Sequence, residues 1–269
     1  MWAYDQQARN LFKQEKLDDS CHLYKKALAI LPSHLGCLGN YSIVLAHLAQ
    51  RTKDADIFKQ AFEQYNKTLS IEPNHANNLG NYANALCVLA RINKDEALFK
   101  KAFEYYEKSL AIKPNDEDIL VNYANAVVRL AKIKNDQNLV NKAFQLYEKA
   151  IVIKPDHARC LENYAVALSS LAQIKQDHIL FDKAFEFFEK ALQLEPNKTY
   201  NLACYYAVLG KADLCQKYLL HAESHNTLPL HPYQHLTEDQ ELDGVRHEEW
   251  FSELLNRLQE KQAITEKFS

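Results

Sequence analysis

Two pairs of histidines, His221 with His225 and His231 with His235, stand four residues apart. That is the spacing at which two imidazoles on one helix face can share a metal ion. The first pair reads His-Ala-Glu-Ser-His, which does not place its acid where a metal-bound water needs a general base, so a polar helix end and loop is the expected role. Six cysteines (Cys21, Cys37, Cys87, Cys160, Cys204 and Cys215) are scattered without a C-x-x-C pair. They read as reduced, buried, small hydrophobes of a reducing compartment. The chain contains neither a glycine-rich phosphate loop nor G-x-S-x-G. No catalytic residue, metal or cofactor is expected, and the chain reads as a protein that is not an enzyme.

Polar residues of another kind recur. Asn40, Asn81, Asn122 and Asn163 form a row at a fixed step of 41 positions. Five of the seven prolines (Pro32, Pro73, Pro114, Pro155, Pro196) keep the same step, as do Tyr41, Tyr82, Tyr123 and Tyr164. A period of this size marks a repeat architecture. Within each unit the apolar spacing is helical. Leu79, Tyr82, Ala83, Leu86 and Ala90 line one helix face, and Phe99, Ala102, Phe103 and Tyr106 line a second. Asp54, Asp95, Asp136 and Asp177 recur between the two runs, where a carboxylate can accept the orphan amides of a first helical turn. Ser33, Asn74, Asn115, Asp156 and Asn197 follow the prolines and are expected to cap the next helix in the same way. The pattern predicts helices near 75–93 and 96–112 in the clearest unit, with Ile92, Ile133 and Ile174 continuing the buried stripe.

Asn78 to Pro114 resembles the tetratricopeptide repeat family, through Leu79, Ala83, Leu86, Ala102, Tyr106 and Pro114. Leu120, Ala124, Val127, Ala143, Tyr147 and Pro155 repeat the set. The family unit has about 34 residues, and the extra seven here are about two helical turns. The resemblance implies an all-α fold, a right-handed α-solenoid of antiparallel helix pairs closed by a C-terminal capping helix. The expected organisation is a standard-length unit at 1–34, four lengthened units over 35–197, a standard-length unit at 198–228, and a linker with capping helix at 229–269. His231 to Gly244 reads as irregular, and Trp250, Phe251, Leu254, Leu255 and Leu258 as the apolar face of the cap. The run from Leu236 to Phe251 resembles the tail that follows bacterial arrays of this family, which implies a bacterial source.

In this family the first helices line a concave groove, so the resemblance places particular residues there. Phases that recur unchanged should serve packing, whereas phases that vary between units can carry selectivity. The candidate partner-binding residues are Asn77, Asn81, Asn84, Asp118, Asn122, Asn125, Arg129, Arg159, Glu162 and Asn163. Amides offer paired donors and acceptors, and arginines can fork onto a carboxylate. The unbroken row of Asn40, Asn81, Asn122 and Asn163 has a bland alternative, a recurrent hydrogen bond between repeats. Gly39, Gly80, Val121 and Glu162 occupy the phase where a carboxylate clamp would require lysine, which argues against that mode. Replacing Asn84 and Asn125 by alanine is expected to weaken binding and leave melting unchanged.

The bulk numbers agree with a soluble interaction module. A formal net charge of −3 gives no chain-wide attraction to nucleic acid or anionic lipid. No apolar run approaches the ~18 residues a membrane span needs, and the first residues lack a signal-peptide pattern. The expected function is a cytoplasmic scaffold or adaptor, monomeric or weakly dimeric, holding a protein or peptide and neither nucleic acid nor membrane. The alternative is a dedicated inhibitor or immunity-type protein that blocks one enzyme.

Overall fold

A computed structural model describes residues 1–267. The last two residues of the expected 229–269 segment lie outside the described residues. Two compact units divide the chain, Met1–Ile153 and Lys154–Ser269. The described residues form helices and turns, and no strand occurs among them.

The first unit holds α1 (Trp2–Lys13), α2 (Leu17–Ile30), α3 (Leu35–Thr52), α4 (Ala55–Ile71), α5 (Ala76–Asn93), α6 (Glu96–Ile112), α7 (Glu117–Lys134) and α8 (Gln137–Ile153). Successive helices pair as α1 with α2, α3 with α4, α5 with α6 and α7 with α8, and the pairs stack through α3 on α5 and α5 on α7. This is the α-solenoid arrangement of helix pairs.

One residue ends the first helix of a pair and starts the second. Lys53, Lys94, Asn135 and Gln176 take left-handed φ values of 57°, 51°, 51° and 53°. The next amide then closes the helix, as Asp95 N–H donates to the Ala90 carbonyl and Asp136 N–H to that of Ala131. The same aspartate turns its carboxylate forward. Asp95 Oδ1 accepts from the amides of Ala97 at 2.8 Å and Leu98 at 3.2 Å, and Asp54, Asp136 and Asp177 do likewise.

The turn between pairs differs from the sequence expectation. The residues after the prolines do not cap. His34 and His75 accept through Nδ1 from Cys37 and Asn78, and Asp116 caps Ile119. Each proline and its follower are the middle of a tight turn, closed by His34 N–H to the Leu31 carbonyl or His75 N–H to that of Glu72. Proline favours the second position of such a turn, so the capping position moves one residue on.

Burial also stops short of the expected stripe. Helix α5 runs unbroken through Ile92, yet Ile133 is 50% and Ile174 69% exposed. The buried face ends at Ala90, Ala131 and Ala172, whose carbonyls take the closing bond, and the last turn beyond them faces solvent. Tyr41, Tyr82, Tyr123 and Tyr164 are buried as core, and Tyr65 stacks on Tyr82 and Tyr106 on Tyr123, both at 5.1 Å between centroids.

The second unit holds α9 (Ala158–Lys175), α10 (His178–Leu194), α11 (Tyr200–Val208), α12 (Ala212–Ser224), α13 (Pro232–Glu238) and α14 (Glu249–Lys267). The segment expected to be irregular contains α13 and a 3₁₀ turn, Gln240–Val245, packed on α11. Asp239 anchors it. Its Oδ2 accepts from Tyr200 Oη at 2.6 Å, and its carbonyl accepts from Arg246 at 2.8 Å. Helix α14 buries Phe251, Leu254 and Leu258, and its Arg257 and Lys261 each reach Glu223 of α12 at 2.9 Å.

Candidate partner-binding groove

The first helices of the first unit carry two open, contiguous cavities. One, of about 180 Å³, is lined by Asn84, Arg91, Asn122, Asn125 and Arg129, with Tyr106 and Cys87 at its floor. The other, of about 130 Å³, is lined by Ile43, His47 and Asn81. Gln50, Asn84 and Val88 belong to both.

Two amides in this groove are held from behind. Tyr106 Oη on α6 donates to Asn84 Oδ1 on α5 at 2.5 Å, and Tyr147 Oη on α8 donates to Asn125 Oδ1 on α7 at 2.5 Å. Both tyrosines are about 1% exposed, so their hydroxyls need an internal acceptor. Each bond fixes its amide, leaving the Nδ2 donors as the polar atoms offered to a ligand.

The charge is one-sided. Among the described residues, no Asp or Glu lines either cavity. Arg91 reaches the rim, yet partial burial of its guanidinium, and then the positive charge of Arg129, hold it below its ordinary value. His47, packed edge-on against Phe12 at 5.1 Å, is also lowered, mainly by burial. Burial pushes the Cys87 thiol up to about 12, against opposing effects of Tyr106 and Arg129, so it is a protonated wall of the cavity.

The structure gathers Asn81, Asn84, Asn122, Asn125 and Arg129 of the residues singled out from the sequence. Asn77 stands apart and exposed, its Oδ1 accepting from Lys113 Nζ at 2.8 Å, and Asp118 is exposed at the start of α7. Arg159, Glu162 and Asn163 lie on α9, in the second unit. There Glu162 is half-buried, and Asn201 Nδ2 donates to its Oε1 at 2.8 Å. Burial raises the Glu162 pKa despite that bond. The row of recurrent asparagines is not a uniform ladder, since Asn40 lies 3.5 Å from Asp5 while Asn81 and Asn122 line the groove. Gly80, on the phase where a carboxylate clamp would require lysine, is buried where α5 approaches α7, and a Cβ there would collide with the Ile119 side chain.

Sequence reasoning missed Arg91 and Gln50. They share one phase with Lys132 and Gln173, beyond the turns on which the groove was expected, and its variation between glutamine and a basic residue was the available signal. The first histidine pair packs ring on ring. The rings of His221 and His225 stack at 4.2 Å, and His225 Nδ1 lies 2.9 Å from the His221 carbonyl. Among the described residues, no group of three or more His, Cys, Asp or Glu could hold a metal ion. No helix among them is long and apolar enough to cross a membrane. All six cysteines are buried, and none of them is in a disulfide.

Comparison with known proteins agrees on the fold. TTC0263, a thermophilic tetratricopeptide-repeat protein of Thermus thermophilus, superposes with a TM-score of 0.62 at 15% identity, covering 77% of this chain and 98% of that one. PilW, described as a widely conserved type IV pilus biogenesis factor, gives 0.60 at 17% identity, over 90% of this chain and 96% of that one. PilF of Pseudomonas aeruginosa gives 0.55 at 16% identity, over 88% and 96%. The fold is therefore that of tetratricopeptide-repeat proteins. A family model for regulator of microtubule dynamics proteins 1–3 matches residues 88–201, less than half of the chain. No curated protein matches the sequence.

Proposed function

We propose that the first unit holds a polypeptide segment of a partner protein in the groove formed by α3, α5 and α7. The observation that carries this reading is the pair of amides at Asn84 and Asn125, oriented by buried tyrosines so that their donors remain unused. Polar groups fixed in one orientation at an open surface lose little entropy on binding, which favours recognition of a backbone or side-chain acceptor. An adaptor or scaffold needs no more than this. The inhibitor reading makes the same use of the groove and differs only in having one tight partner.

Polypeptide fits better than nucleic acid, because the aromatic rows that would stack bases are core and the chain carries a net charge of −3. Six buried thiols, none of them in a disulfide, fit a reducing compartment such as the cytoplasm.

The test is selection of binding peptides by display, followed by hydrogen exchange of the loaded protein. Protection is expected over Ala76–Asn93 and Glu117–Lys134. Asn84→Asp with Asn125→Asp, which keeps the acceptor for each tyrosine and removes the donors, should abolish it. Selected peptides that protect other helices, or bind the double variant equally well, contradict the reading.

A further inference from the structure

We infer that the space between Arg91 and Arg129 is a carboxylate site, taking an internal Asp or Glu side chain of the polypeptide held in the groove. The inference rests on the groove reading above and adds the chemistry of one ligand group.

The cavity presents donors and no counter-charge. Asn84 and Asn125 have their oxygens occupied by tyrosine hydroxyls, which leaves amide N–H groups, and the two guanidiniums supply the rest. Neither arginine is in an ion pair or hydrogen bond with a described residue, and each is exposed at the rim. Two like charges are therefore gathered at one cavity with no acid among its lining residues, an arrangement that repels itself until an anion enters. A carboxylate is acceptor-only and takes two parallel N–H bonds from a guanidinium, which matches two guanidiniums flanked by the Nδ2 donors of Asn84 and Asn125.

Size selects a side chain over a free ligand. Pockets for small molecules run to about 300–1,000 Å³, whereas this one encloses about 180 Å³ and is open. Room for one acidic side chain is present, and the adjoining 130 Å³ cavity, with Ile43 and Val88 in its wall, accepts a neighbouring apolar residue. The last turn of α5, which the closing bond to Ala90 leaves facing solvent, is the element that supplies Arg91.

The test uses three pools of N-acetylated, C-amidated dodecapeptides, random except for a fixed central Glu, Gln or phosphoserine. Vesicles of phosphatidylcholine with phosphatidylserine form a fourth arm. Blocking both termini removes the peptide's own end charges. The Glu pool should bind about tenfold or more tighter than the Gln pool, and less so as salt rises. R91Q and R129Q, both at exposed positions, should bring the two pools within about twofold, with circular dichroism unchanged. R91K should recover only part of the preference, because lysine cannot fork. Equal binding of the Glu and Gln pools overturns the inference but leaves the groove reading standing. A preference that survives R91Q and R129Q also overturns it, as does binding of phosphoserine peptides or vesicles in place of the Glu pool. Failure of every peptide pool to bind sinks both readings.

Discussion

The Tyr106 hydroxyl, buried between α5 and α6, donates to the amide oxygen of Asn84 at 2.5 Å, and through that bond the core of a helix pair dictates the polarity of its surface. Tyr147 and Asn125 repeat the relationship in the next pair. A consequence is that alanine is a poor probe of this groove. Asn84→Ala strands a buried hydroxyl, so it should cost about 1–3 kcal/mol of stability, contrary to the sequence expectation of unchanged melting. In a cycle with Tyr106→Phe, the double variant should be more stable than the sum of the single losses implies, by about 1 kcal/mol. Urea denaturation of the four proteins measures the coupling, and strict additivity contradicts the bond.

The left-handed helix ends make a second prediction. Lys94 holds φ of 51°, a conformation that costs a side-chain-bearing residue about 1–2 kcal/mol and glycine almost nothing. After the extra freedom glycine gains in the unfolded chain, Lys94→Gly should stabilise by roughly 0.5–1 kcal/mol. Asn135→Gly should gain less, because asparagine tolerates the same φ of 51°. Melting temperatures in the order Lys94→Gly above Asn135→Gly above wild type support this.

Docking of α14 should be acid-sensitive. Burial alone would raise the Glu223 pKa, but hydrogen bonds and charge from Arg257 and Lys261 outweigh it and leave the carboxyl below its ordinary value. A depressed carboxylate contributes stability that is fully present above the unfolded pKa of about 4.3 and is lost as pH falls through the lower folded value. Trp250 on α14 reports the event in a Trp2→Phe background. Its emission should shift on acidification below about pH 4.3, and Glu223→Gln should show the shifted emission already at neutral pH. Identical pH profiles for the two proteins would falsify the latch.

Glu162 has the opposite sign. Burial raises its pKa, so at neutral pH the ionised form costs stability, and the cost disappears as pH falls below the unfolded value. Glu162→Gln keeps an acceptor for Asn201 and should raise stability at pH 7, with the gain shrinking toward pH 4. A destabilised variant at pH 7 shows instead that the charge is used.

Much of the fold is legible in the sequence because its determinants are local and recur. The aspartate before each second helix is a cap by chemistry alone, and the helical spacing of Leu79, Tyr82, Ala83 and Leu86 names the buried face. The cap after each proline was misplaced because the tight turn takes up two residues before a helix can begin. Ile133 and Ile174 continue the apolar phase, but phase does not reveal that neighbouring helices leave the last turn uncovered. The site was half legible. Asn84, Asn125 and Arg129 follow from the phase of the first helices, whereas the tyrosine bonds and Arg91 depend on how helices of neighbouring phase meet.

The most direct measurement is a ¹H–¹⁵N titration that follows the side-chain NH₂ signals of Asn84 and Asn125, assigned by Asn→Asp substitution at each position, as a display-selected peptide is added. Both pairs of signals should move with the same saturation curve as the backbone amides of α5 and α7. Signals that stay fixed while peptide binding saturates would contradict the account, because the oriented donors would then face no ligand.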